Sequence, residues 1–328
     1  MQAIVFDGKQ VKYVNNRRRP EPASGEVLIR PTRMGVCATD LEIAKGYMGF
    51  KGVLGHEFVG VVEDATGKTA GKDNRKWIGK RVVGSINCVC GRCDMCRAGL
   101  KEHCRNRSVL GIQDRDGCFA EAFTLPTRNL HEVPDHVDDD RAVFTEPLAA
   151  AYQIRRQLTI EGRPYITVLG DGRLGLLCAQ VLSGLNATVR LVGKHESKLD
   201  LCGKWKIKHR LIDDVGLRQD QDVVVDCTGS PHGLSTAMQM VRPRGTIVMK
   251  TTVAIDQLKA SVDLSPLVIH EINLLGSRCG PFPDAIDALS AEKVDVVSLI
   301  SRRMKLSDGP EALKAAAKSS VVKVLIEP

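Results

Sequence analysis

The chain has 328 residues, of which 43% are hydrophobic, 26% charged and 4% aromatic, and it carries a formal net charge of +8 at pH 7. That length suits two domains better than one, because a single core stops growing at roughly 250–300 residues, and no apolar run approaches the ~18 residues that cross a bilayer. The basic residues are scattered, apart from Arg17-Arg18-Arg19 and a cluster of Lys204, Lys206, Lys208 and Arg210; the first holds no aromatic and the second a single one, Trp205. Both read as solvated faces, so no nucleic-acid partner and no membrane partner is expected. The opening MQAIVFDGKQ lacks the basic-then-apolar pattern of a signal peptide, so the expected location is cytoplasmic.

In chain order, the first 145 or so residues read as short strands and turns. The runs 27–29, 58–62 and 81–83 are rich in β-formers, with Gly, Pro, Asn and Asp clusters between them. No strong helical periodicity is expected before about Asp138, and this half reads as an all-β or irregular domain with loops able to hold metal. Five of the 11 cysteines fall between Cys88 and Cys104. Thiols stay reduced in a cytoplasmic chain, so such a concentration points to metal ligation rather than disulfides. Cys90, Cys93, Cys96 and Cys104 can wrap one tetrahedral zinc in a single loop. Four thiolates leave no open position, which makes that zinc structural. Cys88 reads as a bystander.

Near Tyr165 the pattern changes. A short apolar run, 165–169, meets Gly170, Gly172 and Gly175 in GxGxxG spacing, with Arg173 and Leu174 inside the motif; a helical stretch, 176–185, follows. A strand before and a helix after are the context that motif requires for a dinucleotide pyrophosphate. Further strands are expected at 188–192, 223–226, 245–250 and 272–275, and helices at 196–203 and 232–241. Alternation of this kind implies a parallel sheet covered by helices on both faces. Thr228, just beyond the 223–226 strand, joins the cofactor-binding candidates. The tail is expected to hold helices at 285–289 and 310–318 and a β-run at 321–326 that could rejoin the first domain.

A third set, Cys37, His56, Glu57 and Glu146, is diffuse. Taken singly, Cys37 reads as a buried thiol, His56 as a satisfied core histidine, and Glu146 as a helix-start acid before Pro147. Spacing alone does not join residues 19 and 90 positions apart. A Cys, His and carboxylate site with one open position would suit catalytic zinc.

Taken in order, Gly35-Val36-Cys37-Ala38-Thr39-Asp40, Gly55-His56-Glu57, the four-cysteine loop, Glu146-Pro147-Leu148 and the glycine motif resemble the zinc-dependent medium-chain dehydrogenase/reductase superfamily, over nearly the whole chain. The resemblance implies an α/β protein: a GroES-like β catalytic domain made of 1–147 and 280–328, and a Rossmann doubly wound parallel sheet at 148–279. It implies two zincs per chain. Cys37, His56 and Glu146 would hold the catalytic one, with Glu57 a neighbouring acid able to approach or exchange at the metal, and Asp40 holding the His56 imidazole. Thr39 would relay the substrate proton. Classical members often carry a histidine three residues further on, and Glu42 stands there instead. The activity implied is hydride transfer between an alcohol and a nicotinamide cofactor. A polyol or sugar dehydrogenase is the nearest alternative; a non-zinc quinone or enoyl reductase lacks these ligands. A non-catalytic nucleotide-binding protein is the alternative of another class. The implied partner is a small alcohol or carbonyl substrate, and the implied assembly a homodimer or homotetramer.

The cofactor is expected to be NADP rather than NAD. NAD-binding units usually carry an acid at the end of the second strand, about 20 residues after the glycine motif. Here Gly193 stands at that end, followed by Lys194, His195 and, one turn on, Lys198. A small residue followed by basic ones leaves room and counter-charge for a 2′-phosphate. Glu196 is the acid in question if the strand ends later.

Overall fold

The computed structural model describes residues 1–65, 74–253 and 262–328. They form two compact units, Met1–Glu146 with Phe282–Pro328, and Pro147–Pro281. In chain order the first unit contributes strands β1 (Ala3–Phe6), β2 (Val11–Val14), β3 (Glu26–Gly35), β4 (Gly52–Val53), β5 (Glu57–Asp64), β6 (Arg81–Gly84), β7 (Asn87–Cys88), β8 (Ser108–Val109), β9 (Phe123–Pro126) and β10 (Leu130–Glu132), with helices α1 (Ala38–Ile43), α2 (Asp94–Arg97) and α3 (Asp139–Ala142). Helix α4 (Thr145–Gln157) follows. Then come β11 (Tyr165–Leu169), α5 (Arg173–Ser183), β12 (Thr188–Gly193), α6 (Glu196–Lys204), β13 (Lys208–Leu211), β14 (Gln221–Asp226), α7 (Gly233–Met240), β15 (Val241–Met249), α8 (Ser265–Ile269) and β16 (Asn273–Gly276). The tail supplies α9 (Phe282–Ser290), β17 (Ile300–Lys305), α10 (Gly309–Ala316) and β18 (Lys323–Glu327).

In the first unit, β3 is the strand on which the others are built. It runs antiparallel to β5, β9 and β18, in a sheet ordered β10-β6-β5-β3-β18-β17 with β9 also on β3. Its first residues alternate toward an aliphatic core that includes Val27, Ile29, Val59, Val62 and Leu125. Pro31 has no N–H for the ladder, and the β3–β5 register shifts between Pro31 and Arg33. This bend hides the strand's length, and only 27–29 stands out in the sequence. The C-terminal strand β18 lies beside the end of β3, with Leu325 and Ile326 opposite Gly35 and Met34. The tail therefore reaches the part of the unit where β3 runs out toward Cys37.

The second unit holds a six-stranded sheet ordered β13-β12-β11-β14-β15-β16, with every pair parallel. Parallel strands buried on both faces read as continuous Val/Ile/Leu runs, as in YITVL and QDVVVD. One face packs Leu169, Val192, Val224 and Ile247 against Ala237 and Met238 of α7. The order steps outward in both directions from β11, the doubly wound arrangement that opens a nucleotide crevice at the strands' C-terminal ends.

Two features go beyond the sequence reading, the short early helices and strand β17. Helices do occur before Asp138: α1 and α2 are six and four residues long, too short to show a periodicity. The basic cluster Lys204, Lys206, Lys208 and Arg210 is exposed throughout, as a solvated face should be, and Lys208 and Arg210 lie in edge strand β13; charged side chains on an edge block pairing with other chains. Strand β17 was not expected, and its ISRRMK sequence is mostly exposed. Among the described residues no helix is long and apolar enough to cross a membrane.

Candidate metal centres and nucleotide site

Cys90, Cys93, Cys96 and Cys104 come together so that their sulfurs all lie within 4.8 Å of one another. The Cys104 sulfur is 3.5 Å from that of Cys90 and 3.8 Å from that of Cys93. Four sulfurs about 2.3 Å from a shared zinc, at the corners of a tetrahedron, stand about 3.8 Å apart. The spacing is that of a metal cage and far from a disulfide. Backbone N–H groups of Arg92 and Cys93 lower the Cys90 thiol to about 6. Burial and the neighbouring cysteines push Cys96 up to about 12. Cys88 stands outside the cage, buried, near the Ile86 carbonyl and the Asn129 amide.

The second group is built around one carboxylate. Cys37 is the N-cap of α1, and Asp40 Oδ2 accepts the Cys37 N–H at 2.8 Å. The other oxygen of Asp40 stands 3.3 Å from His56 Nδ1. A single, fully buried side chain thus fixes both the helix start and the imidazole. His56 directly precedes β5 and Glu57 is its first residue. Ligand atoms of Cys37, His56 and Glu57 all lie within 4.8 Å of one another. Burial pushes the His56 imidazole down, but Asp40 and Cys37 outweigh it and hold it well above its ordinary value. Glu57 Oε2 pairs with Lys323 Nζ, while the buried Oε1 completes no hydrogen bond among the described residues. An orphan acceptor beside a thiol and an imidazole is a donor set that a zinc ion satisfies.

Glu146 is half-buried at the second position of α4 and lies outside the group formed by Cys37, His56 and Glu57. Thr39 Oγ1 is 3.8 Å from Cys37 Sγ. Glu42, one turn along α1, is held by Lys45 Nζ at 2.7 Å. Lys323 is a residue that sequence reasoning missed. It is 1% exposed, its ammonium lies 5.4 Å from the centre of the Phe144 ring, and it also donates to the Val36 carbonyl at 3.3 Å. Its only signal was a lysine inside an otherwise apolar terminal strand.

In the second unit the glycine motif lies between β11 and α5. Gly170 has φ of +104°, and a Cβ there would press on the backbone of Cys227 and Thr228. A Cβ on Gly175 would strike the Gly170 carbonyl at 1.9 Å. A Cβ on Gly172 would meet nothing within 4 Å, and Gly172 is the N-cap of α5 with no side-chain cap. The helix start is therefore open, with Arg173 and Leu174 as its first residues, a cradle suited to a pyrophosphate. Thr228, two residues beyond β14, hydrogen-bonds Asp226 through its hydroxyl at 2.7 Å.

The end of β12 differs from expectation. Gly193 is the last strand residue, as read, but the room beside it is filled. A Cβ at Gly193 would lie 2.5 Å from the Asp171 carboxylate, which comes from within the glycine motif. Asp171 Oδ2 accepts the N–H groups of Lys194 at 2.7 Å and His195 at 2.6 Å, and His195 Nδ1 stands 3.0 Å from it. Lys194 is exposed, whereas Lys198 is 7% exposed, and burial lowers its ammonium. Glu196 opens α6 rather than ending the strand.

Known proteins share both halves. The model of the alcohol dehydrogenase GroES-like domain matches residues 23–135, and that of the zinc-binding dehydrogenase matches 174–292. The chain is 27% identical to a sorbitol dehydrogenase of Halalkalibacterium halodurans, covering 100% of this chain and 99% of that protein. It is 30% identical to a 2-dehydro-3-deoxy-L-galactonate 5-dehydrogenase of Pseudoalteromonas atlantica, covering 88% and 86%. A zinc-binding dehydrogenase from Sinorhizobium meliloti, solved bound to NADP, superposes with a TM-score of 0.86 at 29% identity, covering 100% of this chain and 99% of that one. The chain thus belongs to the zinc-type medium-chain dehydrogenase/reductase family and is a zinc-dependent oxidoreductase that passes a hydride between an alcohol and NAD(P).

Proposed function

We propose that the chain is an NADP-preferring dehydrogenase of polyols or related sugar alcohols, with Cys37, His56 and Glu146 holding the catalytic zinc and the four-cysteine loop a structural one. The observation that carries this reading is the convergence of half-buried Cys37 with buried His56 and Glu57 around Asp40. When bound, zinc supplies a Lewis acid that favours ionisation of the substrate hydroxyl, and the nicotinamide accepts the carbinol hydride. The protein's own contributions are distinct. Asp40 orients the His56 ring. Lys323 neutralises Glu57 and keeps its second oxygen within reach of the metal group. Thr39, beside Cys37, takes up the hydroxyl proton and passes it outward by way of Glu42.

The polyol reading is favoured by the relatives, which are named for sorbitol and a deoxy-galactonate. The NADP reading is supported by the absence of an acid at Gly193 and by the basic Lys194 and His195. The second unit ends its sheet on β16, where Leu274 is exposed, with Val268 and Ile269 of α8 exposed nearby in sequence. That apolar edge suits a second copy of the chain, as a homodimer or within a homotetramer. A cytoplasmic location fits the reduced, metal-binding cysteines.

Turnover on a panel of C4–C6 polyols and simple primary alcohols, followed by nicotinamide absorbance with each cofactor, tests the assignment. Polyols should exceed simple alcohols in kcat/KM by at least about tenfold, a difference of about 1.4 kcal/mol in transition-state binding. Equal or better use of ethanol would overturn the substrate class.

A further inference from the structure

We infer that Asp171, the residue between the first two glycines of the motif, is a positioning residue for cofactor choice: its carboxylate takes the space of the usual strand-end acid and uses it to hold the Lys194-His195 turn rather than a ribose. The inference rests on the NADP reading above and names the side chain that produces it.

Volume is the first argument. A side chain at Gly193 and the carboxylate of Asp171 compete for one place, since a Cβ on Gly193 would come within 2.5 Å of Asp171 Cβ and Oδ2. Positions 171 and 193 are therefore a coupled pair, and an acid fits at one of them only. Acceptor use is the second. A carboxylate offers about four lone-pair directions. Asp171 is 7% exposed and faces two backbone N–H groups and the His195 ring nitrogen, at 2.6 to 3.1 Å. Burial pushes its carboxyl up, and the donors of His195 and Lys194 outweigh that and hold it below the usual carboxylate range. An acid so engaged has little left for two ribose hydroxyls.

What the clamp presents is the third argument. It ties the pyrophosphate loop to the turn after β12 and anchors the imidazole by Nδ1. His195 Nε2 makes no hydrogen bond among the described residues, and Lys194 is exposed next to it. Lys198 feels the Asp171 carboxylate as an opposite charge and Arg173 as a like one, so the acid is surrounded by cations. A 2′-phosphate dianion is the cofactor group that such a turn recognises, through charge-assisted hydrogen bonds from Lys194 and His195. The ribose hydroxyl of NAD has neither the charge nor the reach.

The test is direct binding of NADPH and NADH to the zinc-replete protein, by calorimetry, for the wild type, Asp171→Asn, and the swap Asp171→Gly/Gly193→Asp, in which glycine at 171 removes every atom that a Cβ at 193 would strike. Wild type should bind NADPH more tightly. Asp171→Asn should weaken NADPH about tenfold, the loss of one charge-assisted hydrogen bond, and change NADH less than threefold. The swap moves the acid to the strand end and should reverse the preference; it decides the matter should the Asn variant fail to fold. If the wild type prefers NADPH but Asp171→Asn weakens both cofactors equally or neither, the positioning role falls and the NADP reading stands. An unchanged preference in the swap likewise overturns the coupling. If the wild type prefers NADH, the NADP reading fails and the inference with it.

Discussion

Lys323 and Glu57 are 266 positions apart in sequence and meet in the interior, at 1% and 0% side-chain exposure. Neither charge is tolerable there alone. Removing one partner of a buried pair costs about 3–5 kcal/mol, whereas replacing both with uncharged groups is often near neutral. Lys323→Met should therefore destabilise the zinc-replete protein by about that amount in a denaturant titration, and Glu57→Gln/Lys323→Met should recover most of it. A single variant within 0.5 kcal/mol of wild type would show that the pair is not the source of Glu57's placement. Little of this was legible in the sequence. The terminal β-run was, because it is a short run of Val, Leu and Ile; which strand it joins is decided by long-range pairing, and a lone lysine inside it carries no spacing signal. Asp171 escaped notice for the opposite reason. It lies inside a motif whose variable positions are normally read as filler, and only the volume left by Gly193 shows what it reaches.

The metal loop shows how far local pattern extends. The Cys90–Cys104 spacing made a cage legible because all four ligands lie in one short segment. Cys37 and His56 needed a resemblance, since the strand pairing of β3 with β5 brings them together and no spacing rule does. Within the loop the two short elements, α2 and the turn at Lys101–His103, bury no side chain, so the cysteines themselves must hold it. Backbone donors lower Cys90 to about 6, while Cys96 is pushed up to about 12. The thiolate is the reactive form. In chelator-treated protein, iodoacetamide should therefore label Cys90 first, with a rate that rises through about pH 6 and levels above pH 7, and Cys96 last. Peptide mass mapping over a pH series reads this directly. Equal labelling of both at pH 7 would mean that the metal-free loop does not keep the backbone geometry that lowers Cys90.

At the scale of the whole molecule, the fold divides the labour between its units. Both groups of metal-ligand side chains lie in Met1–Glu146, and the glycine motif lies in Pro147–Pro281. The two functions should therefore separate under mutation. Metal analysis of freshly purified, unchelated protein is expected to find close to two zincs per chain. Glu146→Ala should reduce that to about one, abolish turnover, and leave the dissociation constant for NADPH within about threefold of wild type. Glu57→Ala should be milder in turnover, because its carboxylate is shared with Lys323 rather than given wholly to the metal. The comparison is informative because the geometry and the resemblance weigh the two acids differently: Glu57 lies with Cys37 and His56, and Glu146 matches the family's ligand position. If Glu57→Ala loses the zinc and Glu146→Ala keeps it with full turnover, the carboxylate ligand is Glu57 and the role assigned to Glu146 is wrong. A wild-type content of one zinc, whose removal stops turnover without unfolding the chain, would instead leave the four-cysteine loop without a metal.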